Sequence, residues 1–280
     1  MKNKVASKDF KISDLPSNRK EVFFDCFKNR YKYLMYCGFI ILFCAIPFLI
    51  ICFLKSFYLS ALVKELEASN ITEQDYNLAS LRYALIYNGF IVVSSLLISI
   101  GISGATRVIR QIGWEEPVFF TRDFIDGIKM NYKQIFVHVF LLSLIYMISD
   151  LFLYINIPYM IFRYIPLVIF IFIVFPISLY SVAQNNIYNM SNIKVTTNSL
   201  LFFFKSVPVC ILFSLTISLS LLIGFIPNFT IRLLIYVLLI IFAFPLYYLA
   251  WFLHSSSMFD KYLNINYYPE LMDKGITRRR

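Results

Sequence analysis

Five stretches of this chain contain no charged residue: 33–54, 83–106, 164–193, 206–231 and 233–259. A sixth, 134–162, is interrupted only by Asp150. Each is long enough to cross about 30 Å of hydrocarbon as a helix rising 1.5 Å per residue. A lipid core offers backbone amides no water, so a segment that crosses it must satisfy its own hydrogen bonds, and an apolar 20-residue helix does so. The chain is therefore expected to be all-α: a polytopic helical membrane protein of six spans, at about 33–54, 83–106, 134–155, 164–184, 207–226 and 233–254. Only 15% of the 280 residues are charged, against about 25% in soluble domains.

Charge then sets the threading, because lysine and arginine are retained on the cytoplasmic side. With both termini inside, 21 of the 26 Lys and Arg fall on the inner side and 5 on the outer. The reading is a multi-pass protein of the cytoplasmic membrane, with an inner segment 1–32, a membrane domain 33–259 and an inner tail 260–280. The net charge of +10 follows from that retention and calls for no nucleic-acid partner. The polar, lysine-rich start predicts no cleavable signal peptide; Tyr33–Leu54 would act as its own insertion signal.

The connections carry local signals. In the long outer connection 55–82, Asn70 with Glu73 three residues later is expected to cap the helix that leads into the second span. Pro158, Pro166, Gly224 and Pro227 mark two short outer turns. Tyr154, Tyr159 and Tyr164 suit an aromatic belt at headgroup level. Inside, "GATRVIRQIGWEEPVFFTRDFIDGIKMNYKQ" (104–134) holds nine charges. Thr121 is expected to cap a short amphipathic elbow helix over 122–133, lying at the inner surface before the chain turns into the bilayer. Segments 23–43, 124–144 and 200–219 each place a lysine (Lys28, Lys129, Lys205) ahead of an entering span. "FPISLY" and "FPLYYL" recur 69 residues apart. Together they suggest three elbow-plus-hairpin units in parallel orientation.

Chemistry is sparse. Asp150 is the clear ionisable group within a span, read as an interfacial carboxylate paired with Arg163 across the short outer turn, or as a substrate or proton site. His138 and His254 lack companions at metal-ligand spacing, and the five cysteines form no CxxC or Cys/His cluster, so neither a metal nor a cofactor is expected. Ser95, Ser99 and Ser103 recur every four residues as a small stripe, read as helix packing with a hydroxyl-lined path as the rival. Pro47, Pro176 and Pro245 should kink the first, fourth and sixth spans. No GxSxG, Walker A, HExxH or dinucleotide fingerprint occurs; the chain is read as non-enzymatic.

The inner stretch resembles that of the YesL-like proteins, a family of bacterial inner-membrane proteins without an established activity. The resemblance rests on Arg122, Asp123, Phe124, Gly127, Lys129, Asn131, Lys133 and Gln134. It continues through "FPISLYSV…NIKVTTNSLLFFFKSVP" (175–208) and "MFDKYLNINYYPELMDKG" (258–275). The long connection 55–82 and the terminal "TRRR" depart from the family pattern. The resemblance implies an accessory role beside carbohydrate ABC uptake systems, with the lipid bilayer and ABC transporter or sensor subunits as partners. The docking surface expected on that reading comprises Arg107, Arg110, Arg122, Asp123, Phe124, Lys129, Asn131 and Lys133. An autonomous small-molecule transporter is the alternative, and a membrane-shaping structural protein a weaker third.

Overall fold

A computed structural model describes residues 16–155, 157, 159–226 and 228–276. The described residues form helices joined by turns and contain no strand, and six helices are long and apolar enough to span a membrane. A short α1 (Arg19–Asn29) breaks at Arg30 into α2 (Tyr31–Glu67), which returns as α3 (Glu73–Gly113). The third span is α4 (Phe120–Leu151). The fourth runs through α5 (Met160–Ile169), a π-helical segment (Phe170–Val174) and α6 (Phe175–Asn185). A second short helix, α7 (Asn192–Lys205), breaks at Ser206 into α8 (Val207–Ser218). The last span joins α9 (Phe229–Leu238), a second π segment (Leu239–Ala243) and α10 (Phe244–Phe259), with a small α11 (Ile265–Tyr267) beyond it. The end carrying α1, α7 and residues 260–276 is called inner below; the α2–α3 tip lies at the outer end.

The first two spans overshoot their expected bounds. At 37 residues, α2 is about 55 Å long, nearly twice the hydrocarbon thickness. The outer connection is thus a helical hairpin with a tight tip. Ser69 takes a left-handed conformation (φ 56°). The amides of Ser69 and Asn70 close back on the carbonyls of Leu66 and Glu65, which seals the orphan carbonyls of a helix end. Thr72, and not Asn70, caps α3: its hydroxyl oxygen accepts from the Asp75 amide at 3.1 Å and donates to the Asp75 carboxylate at 2.6 Å. The inner end of α3 closes the same way at Glu115 (φ 57°).

The elbow expected over 122–133 is not a separate helix. It forms the first turns of the continuous 32-residue α4. Thr121 lies inside that helix and caps nothing. Instead the carboxylate of Asp123 reaches back to accept from the Phe119 amide at 2.7 Å, satisfying a first-turn donor that would otherwise be orphaned. The reason the bend is absent lies in two glycines. A Cβ on Gly104 would stand 2.4 Å from the Phe124 ring, and one on Gly127 would stand 2.8 Å from Cβ of Arg107 and 2.9 Å from the Ser103 carbonyl. The two small residues let α3 and α4 cross closely, which holds the start of α4 in line with its span. True elbows do occur at α1 and α7.

The fourth and sixth spans repeat one plan. Helix, π segment and following helix begin at positions displaced by 69 residues in every case, and Pro176 and Pro245 each sit in the first turn after the π segment. A proline lacks the amide that a regular ladder needs and crowds the carbonyl of the preceding turn; the π segments lie where that ladder is interrupted. Arg163 and Arg232 occupy equivalent places. Each donates to a carbonyl of its own outer turn, that of Ile157 (3.0 Å from Nη2) and that of Gly224 (3.4 Å from Nη1).

Buried apolar residues form two clusters. One joins α1, α2, α3, α4 and α10 around Cys37, Ile109, Ile112 and Phe252; the other joins α6, α7, α8 and α10 around Tyr180, Trp251 and Phe259.

Candidate functional site

Ionisable and polar side chains gather at two levels, one in the outer part of the bundle and one at its inner end.

At the outer level, Lys55 on α2, Asn88 on α3 and Asp150 on α4 form a closed triangle. The Lys55 ammonium donates to the Asp150 carboxylate and to Asn88 Oδ1 (2.9 Å), and Asn88 Nδ2 donates to the same carboxylate oxygen at 2.8 Å. All three are buried, Lys55 at 7% and Asp150 at 6% exposure. The ammonium also lies 5.5 Å from the centre of the Tyr154 ring. The sequence read Asp150 either as a partner of Arg163 or as a substrate or proton site; its ion-pair partner is Lys55, and Arg163 donates to the Ile157 carbonyl. Because α2 continues as a helix past its apolar run, Lys55 stays on the face that packs α3 and α4 and does not leave with a loop. A charge in hydrocarbon is tolerable when it is paired and hydrogen-bonded, and the triangle meets both conditions. One turn outward, Tyr58 stacks on Tyr83 and Tyr87, each with ring centres 5.7 Å from it.

At the inner level, Asn186 at the end of α6 is the hub. Its carbonyl accepts from Arg110 at 2.7 Å, its amide nitrogen donates to the Thr106 carbonyl at 2.6 Å, and its amide oxygen accepts from Asn131 at 3.1 Å. Three spans are tied by one asparagine. Its only sequence signal is the polar "QNN" that ends the fourth apolar run, and nothing in that run's periodicity marked it. Helix α1 and the described residues beyond α10 are fastened to the same floor. Arg30 donates to the Glu116 carbonyl at 2.7 Å, Arg19 pairs with Asp260 at 2.7 Å, and Arg19 also donates to the Lys274 carbonyl. Cys26 is fully buried under α3, its sulfur 3.3 Å from the Ile112 carbonyl. Burial pushes that thiol up from 9.0 to about 12, and it lifts the Tyr188 phenol above its ordinary value as well.

The eight residues expected to form a docking surface therefore divide. Asp123, Phe124 and Asn131 are buried and hold the fold: Asp123 closes the first turn of α4, Phe124 fills the space over Gly104, and Asn131 reaches the hub. They are not available to a partner. Arg110 joins them through Asn186 and the face of Trp114, 5.1 Å from its guanidinium. Arg107 is half-buried beside Gly127. Arg122, Lys129 and Lys133 are exposed on the opposite side of α4, with Ile125 and Met130 exposed among them.

The serines at 95, 99 and 103 are buried, and each hydroxyl donates to a carbonyl of its own helix at 2.6–2.7 Å. Their stripe packs helices. Both histidines sit in side-chain networks. His254 Nε2 lies 2.9 Å from the Tyr180 hydroxyl, which in turn meets Ser206, and His138 Nδ1 lies 2.8 Å from the Gln134 carbonyl. Among the described residues no three His, Cys, Asp or Glu are placed to hold a metal ion, and all five cysteines are free.

Comparison with family models, with curated proteins and with solved structures finds no match for this chain.

Proposed function

We propose that this integral membrane protein works without catalysis, as an accessory component whose inner face docks onto the subunits of a membrane transport complex. A carbohydrate ABC uptake system is the leading candidate, in keeping with the YesL-like resemblance of 104–134. One observation carries the reading. The start of α4 is locked from behind by Asp123, Phe124, Gly127 and Asn131, while Arg122, Lys129 and Lys133 stand exposed on its other side, flanked by Ile125 and Met130, with Asp126 among them 3.9 Å from Arg122. A basic and apolar surface on a fixed helix requires little ordering on association, and preorganisation of that kind favours binding. The charge asymmetry supports a cytoplasmic position for this face.

The test is affinity capture after crosslinking in the native membrane. Lys129→Glu with Lys133→Glu is expected to release transporter subunits that the unaltered protein retains, at equal membrane content. Recovery of the same subunits from both would end the proposal.

A second reading, autonomous transport of a small solute, is favoured by the buried Lys55–Asn88–Asp150 triangle, since ionisable groups within spans commonly serve ion or substrate paths. Flux in proteoliposomes containing this protein alone, abolished in Asp150→Asn with the fold retained, would replace the accessory reading.

A further inference from the structure

The outer halves of the first and last spans enclose a trough. At the inner side α2 and the second π segment touch: a Cβ on Gly38 would lie 2.1 Å from the Ile241 carbonyl oxygen. From that contact the two helices separate outward. Between them opens an apolar groove of about 570 Å³, walled by Ile46, Ile50 and Phe53 of α2 and by Phe229, Leu233 and Val237 of α9. Ile46, Ile50 and Phe229 are exposed, so the groove faces the surroundings of the bundle.

A single cation guards its outer end. The Arg232 guanidinium lies 5.7 Å from the centre of the Phe53 ring and 6.0 Å from that of Phe229, two walls of the groove. Its only hydrogen bond among the described residues is the long one to the Gly224 carbonyl, 3.4 Å. The equivalent residue of the fourth span, Arg163, binds its own turn through both Nε (3.3 Å) and Nη2 (3.0 Å). The groove continues inward to Leu42. From Phe53 to Leu42 is about 16 Å along α2, close to the hydrocarbon depth of one leaflet.

We infer that this groove holds one acyl chain of an anionic phospholipid of the outer leaflet, with its phosphate on Arg232. Hydrocarbon contact alone confers no preference, because bulk lipid tails are as apolar as the leucines of the groove. Selectivity has to come from the charged end, where a guanidinium offers a phosphate paired donors in a fork. The neighbouring positive charge on Lys55 is already neutralised by Asp150, which leaves Arg232 as the group that attracts an anion at this end of the groove.

The experiment uses the full chain in liposomes doped with phosphatidylglycerol carrying a photoactivatable group on one acyl chain, and maps crosslinks by peptide mass spectrometry. Crosslinks are expected to concentrate on residues 42–57 and 229–237, and to fall about five- to tenfold in Arg232→Gln. Arg232→Lys, which keeps the charge but loses the paired donors, should fall between the unaltered protein and Arg232→Gln; Lys129→Glu with Lys133→Glu on the inner face should leave the labelling unchanged. Ile50→Trp, which fills the groove without touching the charge, should remove them while the thermal unfolding profile is kept. Crosslinks spread evenly over all lipid-facing helices would overturn the inference. So would equal labelling by the phosphatidylcholine analogue, or labelling indifferent to Arg232→Gln. A photoreactive residue at position 233 that captures a protein chain in native membranes would assign the groove to a partner helix instead.

Discussion

Lys55 and Asp150 are tolerated inside the bundle because each neutralises the other and Asn88 takes up further valences of both. Removing one member leaves the other buried and unpaired, which costs about 3–5 kcal/mol. Asp150→Asn is therefore expected to lower the apparent unfolding temperature in detergent markedly. Lys55→Met combined with Asp150→Leu should recover most of that loss, since a well-packed apolar pair often replaces a buried ion pair at little cost. If the double variant is as unstable as the single ones added together, the three side chains do not act as a coupled unit. Cys26 gives a second residue-scale prediction. Its folded-state value is raised from 9.0 to about 12, so folding favours the protonated thiol. The stability it contributes is complete below about pH 9 and is lost as pH rises toward 12. In a variant retaining Cys26 alone, alkylation at pH 8–9 should be far slower in the folded than in the unfolded protein; comparable rates would contradict its burial beneath α3.

At the scale of elements, helix approach is set by glycines that no apolar count distinguishes. Gly38 meets the backbone of Ile241, whereas a Cβ on Gly89 would touch nothing within 4 Å. Gly38→Ala must push two helices apart and should destabilise by at least the ~1–3 kcal/mol typical of overpacking. Gly89→Ala should be neutral or slightly stabilising, since alanine is the better helix former. Thermal scans of the two variants side by side decide this, and equal melting would refute the assigned α2–π contact. At the hairpin tip, Thr72→Ala removes the cap of α3 and should cost about 1 kcal/mol, while Asn70→Ala should cost little. Of these features the sequence displayed the residues but not their roles. The sequence pointed to Asn70 with Glu73, and the sealed end of α2 at Ser69 moves the start of α3 on to Thr72.

For the whole molecule, α1, the described residues beyond α10 and the start of α4 meet at one end of the bundle, opposite the α2–α3 tip. Retention of basic residues would put that end in the cytoplasm; on that threading, a cysteine at Ser69 is expected to be labelled by an impermeant maleimide added outside intact cells. One at Lys129 should react only after permeabilisation. Reversed labelling would invert the threading without changing the fold. The number of spans and their helical character were legible in six long apolar runs, because a lipid-spanning segment has to satisfy its own backbone and few sequences do so. The paired "FPISLY" and "FPLYYL" were legible as well, but the three elbow-plus-hairpin units they suggested lack a separate elbow before α4, and Pro47, unlike Pro176 and Pro245, lies inside an uninterrupted α-helix.

What the sequence could not determine was which polar groups face one another. Asp150 has Lys55 as its partner because α2 remains helical beyond its hydrophobic run. Asp123, Phe124 and Asn131 belong to the interior because Gly104 and Gly127 draw α3 and α4 together. The apolar groove beside Arg232 exists because two helices touch at Gly38 and then diverge. Hydrophobicity fixes the spans one at a time, from local composition; the pairing of charges and the shape of the gaps between helices depend on contacts between residues far apart in the chain, and those arise only when the helices pack.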